Sequence, residues 1–103
     1  FGNDIIIDHE IDLEWARIPH FYYNYYVYQY ATGYSAAIAL SQRILNEGQS
    51  AVDDYLGFLS GGCSEDPITL LKGAGVDMTT SKPVSDALKL FGELIQEMND
   101  LMN

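Results

Sequence analysis

From Ile18 to Gln42 the chain runs for twenty-five residues without a single Asp, Glu, Lys or Arg. As a helix, such a stretch would reach across a bilayer. Its contents argue otherwise. His20, Asn24, Gln29, Thr32, Ser35 and seven tyrosines lie inside it, with Gly33 in the middle. Each unpaired polar group in hydrocarbon costs several kcal/mol. The expectation is therefore no membrane span, but a helix buried within a larger water-soluble protein.

The flanks supply the charge. Asp4, Asp8, Glu10, Asp12 and Glu14 all precede the first base, Arg17, and read as a solvated lead-in. Fifteen acids against five bases leave a net charge of −10. That sign repels phosphate backbones and anionic lipid, which argues against nucleic-acid binding as a main role. The 103 residues suffice for one domain with a marginal core. A lone cysteine, Cys63, makes no internal disulfide and fits a reducing compartment. The chain opens on Phe1 with no basic-then-apolar leader, so the expectation is a piece of a longer protein, with 1–103 as one segment.

The periodicity is helical almost throughout. Pro19 predicts the start of a helix from about His20 to Glu47, stopped by Gly48. Ser50 is expected to cap a second, with Val52, Tyr55, Leu56 and Leu59 at three- and four-residue spacing before Gly61-Gly62. Ser64-Glu65-Asp66-Pro67 is a third start signal, and Gly73 and Gly75 its stops. After Ser81 and Pro83, Val84, Ala87, Leu88, Phe91, Leu94, Ile95, Met98, Leu101 and Met102 mark one stripe. Only Asp4 to Asp8, around Ile5-Ile6-Ile7, reads as briefly extended. The predicted class is all-α, with four to five helices.

Familiar catalytic motifs are missing. His9-Glu10 opens like HExxH, but position 13 is Leu. His9 and His20, eleven apart, lack helical metal spacing, so no metal site is expected within these residues. No G-x-S-x-G surrounds any serine, and no glycine pair carries the GK[ST] of phosphate loops. Cys63 beside two glycines reads as an inert loop residue.

The tyrosines remain. Tyr22, Tyr23, Tyr25, Tyr26, Tyr28, Tyr30 and Tyr34 fall within thirteen residues. On a helix, positions 23, 26, 30 and 34 share one broad face, while 25 and 28 lie away from it. Phenols all round a helix cannot all find partners in a dry core, so one face is expected to line a wet cleft. A phenol stays protonated at neutral pH and donates to anionic oxygen. His20 adds a second donor or a proton carrier.

The run EWARIPHFYY (14–23), continuing through YVYQYATG (26–33), closely resembles the C-terminal part of oligoendopeptidase F. So does the tract of Gly61-Gly62, Asp66-Pro67-Ile68, Leu70-Leu71-Lys72 and Ala74 to Thr79. The resemblance runs over essentially the whole chain. It implies a segment of a large, mostly helical metalloprotease, a cytoplasmic hydrolase of short peptides. The zinc motif lies upstream in that family, so the resemblance implies zinc in the full-length enzyme and none held by this segment. In the wider thimet-type group a histidine and two tyrosines seven apart face the scissile bond. His20, Tyr23 and Tyr30 match that pattern, as catalytic residues, with Tyr28 matching a further tyrosine. Tyr25 is the rival for the first tyrosine role, because the histidine-to-tyrosine gap is shorter here. Tyr25, Tyr26 and Tyr28 are the implied substrate-binding residues.

Two expectations follow. The first is a C-terminal peptidase segment, inactive alone, whose partners are peptides and the remainder of the peptidase, and which self-associates when isolated. The second is a stand-alone helical binding module that kept the scaffold without the chemistry.

Overall fold

The structure is a computed structural model that describes residues 4–102. Phe1, Gly2, Asn3 and Asn103, at the ends of the expected 1–103 segment, lie outside the described residues. Among the described residues the 3-10 helices His9–Arg17 and Pro19–Tyr22 lead into four α-helices: α1 (Tyr28–Glu47), α2 (Gln49–Gly61), α3 (Pro67–Gly73) and α4 (Lys82–Met102). The described residues contain no strand, so the all-α class holds. Ile5, Ile6 and Ile7 carry no regular structure and stand exposed.

The first long helix starts eight residues later than expected. Pro19 opens only a short 3-10 helix that ends at Tyr22. Asn24 (φ 23°) and Tyr25 (φ 62°) then turn into the left-handed region, which an α-helix of L-residues cannot continue through. Tyr23 and Tyr30 therefore do not share a face of one helix. Two smaller corrections concern caps. Gly48, at φ 70°, both ends α1 and opens α2, which leaves Ser50 inside the helix. Asp66, rather than Ser64, caps α3: its carboxylate accepts the N–H groups of Ile68 and Thr69, both at 3.0 Å. Pro67 occupies the first turn, where a missing N–H costs nothing. The Gly61-Gly62 stop falls where expected, with Gly62 at φ 55°.

Packing is built from small residues. α1 lies against α2 and α4, and α2 against α3. Ala36, Leu40, Ala74 and Val76 form the buried cluster, with Tyr55, Phe58, Leu71 and Met78 half-buried around it. Arg43 locks it together. Its guanidinium donates to the Ala74 carbonyl, pairs with Glu47 at 2.7 Å and reaches Asp54 of α2 at 3.2 Å. The next residue, Gly75, has φ 79°, and a Cβ there would collide with the Arg43 guanidinium.

This core is small for the chain. α4 buries Pro83 and Ala87 only, while Leu88 (66%), Phe91 (62%) and Met98 (57%) stay exposed along the predicted stripe. The accessible surface is 8480 Å², against about 5,800 Å² for a folded monomer of this mass. The radius of gyration is 18.6 Å, where about 13 Å describes a compact domain of this length. The uncharged stretch shares this exposure: Tyr22 through Tyr34 hold no buried residue, and Ser35, Ala36 and Leu40 are the buried part of α1. No helix among the described residues is long and apolar enough to cross a membrane.

Candidate functional site: an imidazole and phenol chain

The aromatic residues before and at the start of α1 are gathered by short local hydrogen bonds. The Tyr23 N–H donates to the His20 carbonyl at 3.4 Å, and the Tyr26 N–H to the Tyr23 carbonyl at 2.6 Å. The Tyr30 N–H reaches the Val27 carbonyl at 3.2 Å as α1 begins. The Tyr22 hydroxyl donates back to the Ala16 carbonyl at 2.7 Å, fastening the two 3-10 helices to each other. Trp15 packs edge-on against Phe21, with centroids 6.3 Å apart.

These turns bring four expected site residues into one chain of contacts. The His20 ring lies 5.9 Å from that of Tyr23 and 5.6 Å from that of Tyr26. Tyr23 meets Tyr26 edge-on at 6.4 Å, and Tyr26 meets Tyr30 edge-on at 5.7 Å. The Tyr30 hydroxyl donates to the Tyr26 hydroxyl at 3.1 Å. That bond holds the Tyr30 phenol above its ordinary pKa, first because it engages the Tyr30 proton and then because a charge on Tyr26 would repel one on Tyr30. Two hydroxyls own two protons and spend one on the bond between them. Whichever way that bond runs, one proton is left for an external acceptor.

Tyr25 and Tyr28 stand apart from this chain. With His20, Phe21, Tyr26 and Val27 they line an adjoining open recess of about 490 Å³. Phe21 and Val27 did not stand out in the sequence, because an isolated apolar residue in an aromatic run looks like core. Arg43 did not stand out either: a helical arginine four before a glutamate reads as an ordinary surface pair. Among the described residues no three His, Cys, Asp or Glu side chains gather as metal ligands.

The fold and site thus define a helical unit that presents an exposed imidazole and linked phenols. Residues 1–90 match the model of Peptidase family M3, and the chain belongs to that family. It is 62% identical over 102 residues to oligopeptidase PepF of Bacillus subtilis, covering 99% of this chain and 15% of that protein. Against group B oligopeptidase PepB of Streptococcus agalactiae it is 46% identical, over 92% of this chain and 16% of the relative. The crystal structure of oligoendopeptidase-F from Enterococcus faecium superposes with a TM-score of 0.78 at 48% identity, covering 93% of this chain and 18% of that one. The chain spans about 15% of the length of the relatives it matches.

Proposed function

We propose that this chain forms part of the substrate-facing wall of a longer zinc metallo-endopeptidase that hydrolyses short peptides in the cytoplasm. In this reading His20, Tyr23 and Tyr30 donate to the tetrahedral oxyanion, and Tyr25, Tyr26 and Tyr28 contact the peptide. The supporting observation is the hydrogen-bonded Tyr26–Tyr30 pair, in ring contact with His20 and open to solvent. When Tyr26 donates to Tyr30, the Tyr30 proton is the one left for the oxyanion. A developing negative charge draws the bonds into that sense, and each strengthens the next. Only the two hydroxyl protons have to turn while the rings stay where their contacts hold them, so the reorganisation as the charge forms is small. His20 beside Tyr23 and Tyr26 supplies a further N–H or carries a proton.

The side chains of this segment do not fit a zinc ion. His9 and His20 stand on separate 3-10 helices, and no ligand cluster gathers around either among the described residues. In this reading the ion is held by parts of the longer protein outside these residues. The large exposed apolar face of α4 fits the same reading. The test is to purify the chain alone and measure zinc by elemental analysis together with hydrolysis of short peptides. The expected result is neither. One zinc per chain, with activity lost on chelation, would overturn the proposal.

A further inference from the structure

We infer that Arg43 is a positioning residue for the reaction: by fixing the rotation of α1 against α2 and the connection after α3, it holds the Tyr30 hydroxyl on the oxyanion. The inference rests on the donor role proposed for Tyr30 and adds the group that sets its aim. Three observations carry it. First, Arg43 joins three parts of the fold. Its guanidinium donates to the Ala74 carbonyl just beyond α3, to Asp54 of α2 at 3.2 Å, and to Glu47 one turn further along α1 at 2.7 Å. The hydroxyls of Thr32, Ser35 and Ser41 return instead to carbonyls of α1 itself, which does not fix its rotation. Second, the backbone is shaped around the guanidinium. Gly75, at φ 79°, leaves the space that a Cβ would take from it. A planar fork meets one carbonyl and two carboxylates at once, a geometry that an ammonium does not reproduce. Every partner belongs to this chain, so the lock is complete without whatever the longer protein adds. Third, the apolar contacts that share the task are shallow. The buried residues of α1, α2 and α4 are Ser35, Ala36, Leu40, Ala51, Pro83 and Ala87. Side chains that are mostly this small make low ridges, which resist rotation less than long interlocked ones.

The lever arm gives the consequence. Tyr30 and Arg43 belong to the same helix, about 20 Å apart along its axis. A phenol hydroxyl stands roughly 8 Å from that axis, so turning α1 by about 10° moves it by about 1.4 Å. A misplacement on the order of 1 Å, caused far from the chemistry, can cost about 10²-fold in rate.

The experiment measures kcat, KM, zinc content and melting temperature in the longer peptidase, with kcat read well below the melting transition. Arg43→Lys keeps the charge and loses the three-way fork. It should lower kcat about tenfold or more while KM and zinc content stay near the parent values. A residue that merely stabilised the fold would lower the melting temperature and leave the kcat of the folded enzyme alone. In the Tyr30→Phe background the same substitution should cost less than threefold, because the donor that it aims is gone. Asp54→Asn removes only the charge at the α2 end and carries the test if Arg43→Lys fails to fold. It should cost threefold or more in the parent and less than threefold beside Tyr30→Phe. A kcat within threefold of the parent in the folded variant would overturn the inference, as would an equal loss in both backgrounds. Tyr30→Phe alone separates the two readings. If it turns over like the parent, the donor role fails and the inference falls with it. If it is slow while Arg43→Lys is silent, the donor role stands and only the inference is overturned.

Discussion

Replacing Tyr30 by phenylalanine removes one hydroxyl and keeps the ring, so the edge-on contact with Tyr26 at 5.7 Å survives. The structural cost is small. Tyr30 is 62% exposed, and after the change both water and the Tyr26 hydroxyl can rearrange, so about 1 kcal/mol of stability is the upper limit. The catalytic cost is different in kind. If the Tyr30 hydroxyl is the last donor in the Tyr26–Tyr30 chain, its loss is felt where the oxyanion forms and hardly in the bound substrate. One such donor is typically worth on the order of 10²–10³ in turnover, or roughly 2.7–4 kcal/mol. In the longer peptidase, kcat should therefore fall steeply while KM and zinc content stay near their parent values. The assay is steady-state kinetics with thermal melting on the one variant. Free of substrate, with its proton on Tyr26, the Tyr30 phenol is held above its ordinary pKa. The deficit should be constant from about pH 6 to 9, below ordinary phenol ionisation near 10. A kcat within threefold of the parent, about 0.6 kcal/mol, would refute the oxyanion role of Tyr30.

Gly75→Ala should destabilise the fold by at least about 2 kcal/mol, from the left-handed backbone and displacement of the Arg43 side chain that bonds Ala74. Urea unfolding of the double variant with Arg43→Ala should show less than the sum of the single losses; strict additivity would mean that Arg43 is not what the new methyl group meets. The Asp77 carboxyl is held down to about 2, first by the Thr79 hydroxyl at 2.5 Å, then by the Lys72 ammonium at 3.0 Å and the Thr79 N–H. A lowered folded pKa gives stability that is full above the unfolded value near 3.9 and is lost as pH falls towards 2. Melting temperature should thus drop more between pH 4 and pH 2 in the parent than in Asp77→Asn, and parallel slopes would discount this carboxylate. The isolated chain, with the α4 stripe uncovered, should self-associate and bind an apolar dye; light scattering from a clean monomer over a broad concentration range would contradict that.

The helix stops were legible in the sequence because they are made by local chemistry. Gly48 and Gly62 take the positive φ that their positions need. The start of α1 was not legible. Nothing in the run of tyrosines marks the break except Asn24, and the left-handed Tyr25 runs against the preference of a bulky residue. Helical spacing put Tyr23, Tyr26 and Tyr30 together, and their rings do touch in sequence. The contact between Tyr23 and Tyr26 comes from a turn that hydrogen bonds across three residues, however, and not from a helix face. The stripe on α4 was read correctly as amphipathic, but a stripe says nothing of its cover. Only the coordinates show that most of it is left bare by α1 to α3.

The central claim is that the phenols of this segment bind the oxyanion more tightly than they bind the ground state. It is tested most directly by a phosphinic peptide that carries the tetrahedral anion in place of the scissile amide. Its inhibition constant is measured against the longer peptidase and against Tyr30→Phe and Tyr23→Phe. The account predicts that inhibitor affinity falls in step with kcat/KM across the three proteins, on the order of 10²-fold or more for Tyr30→Phe. A phosphinic peptide bound equally tightly by all three would contradict it.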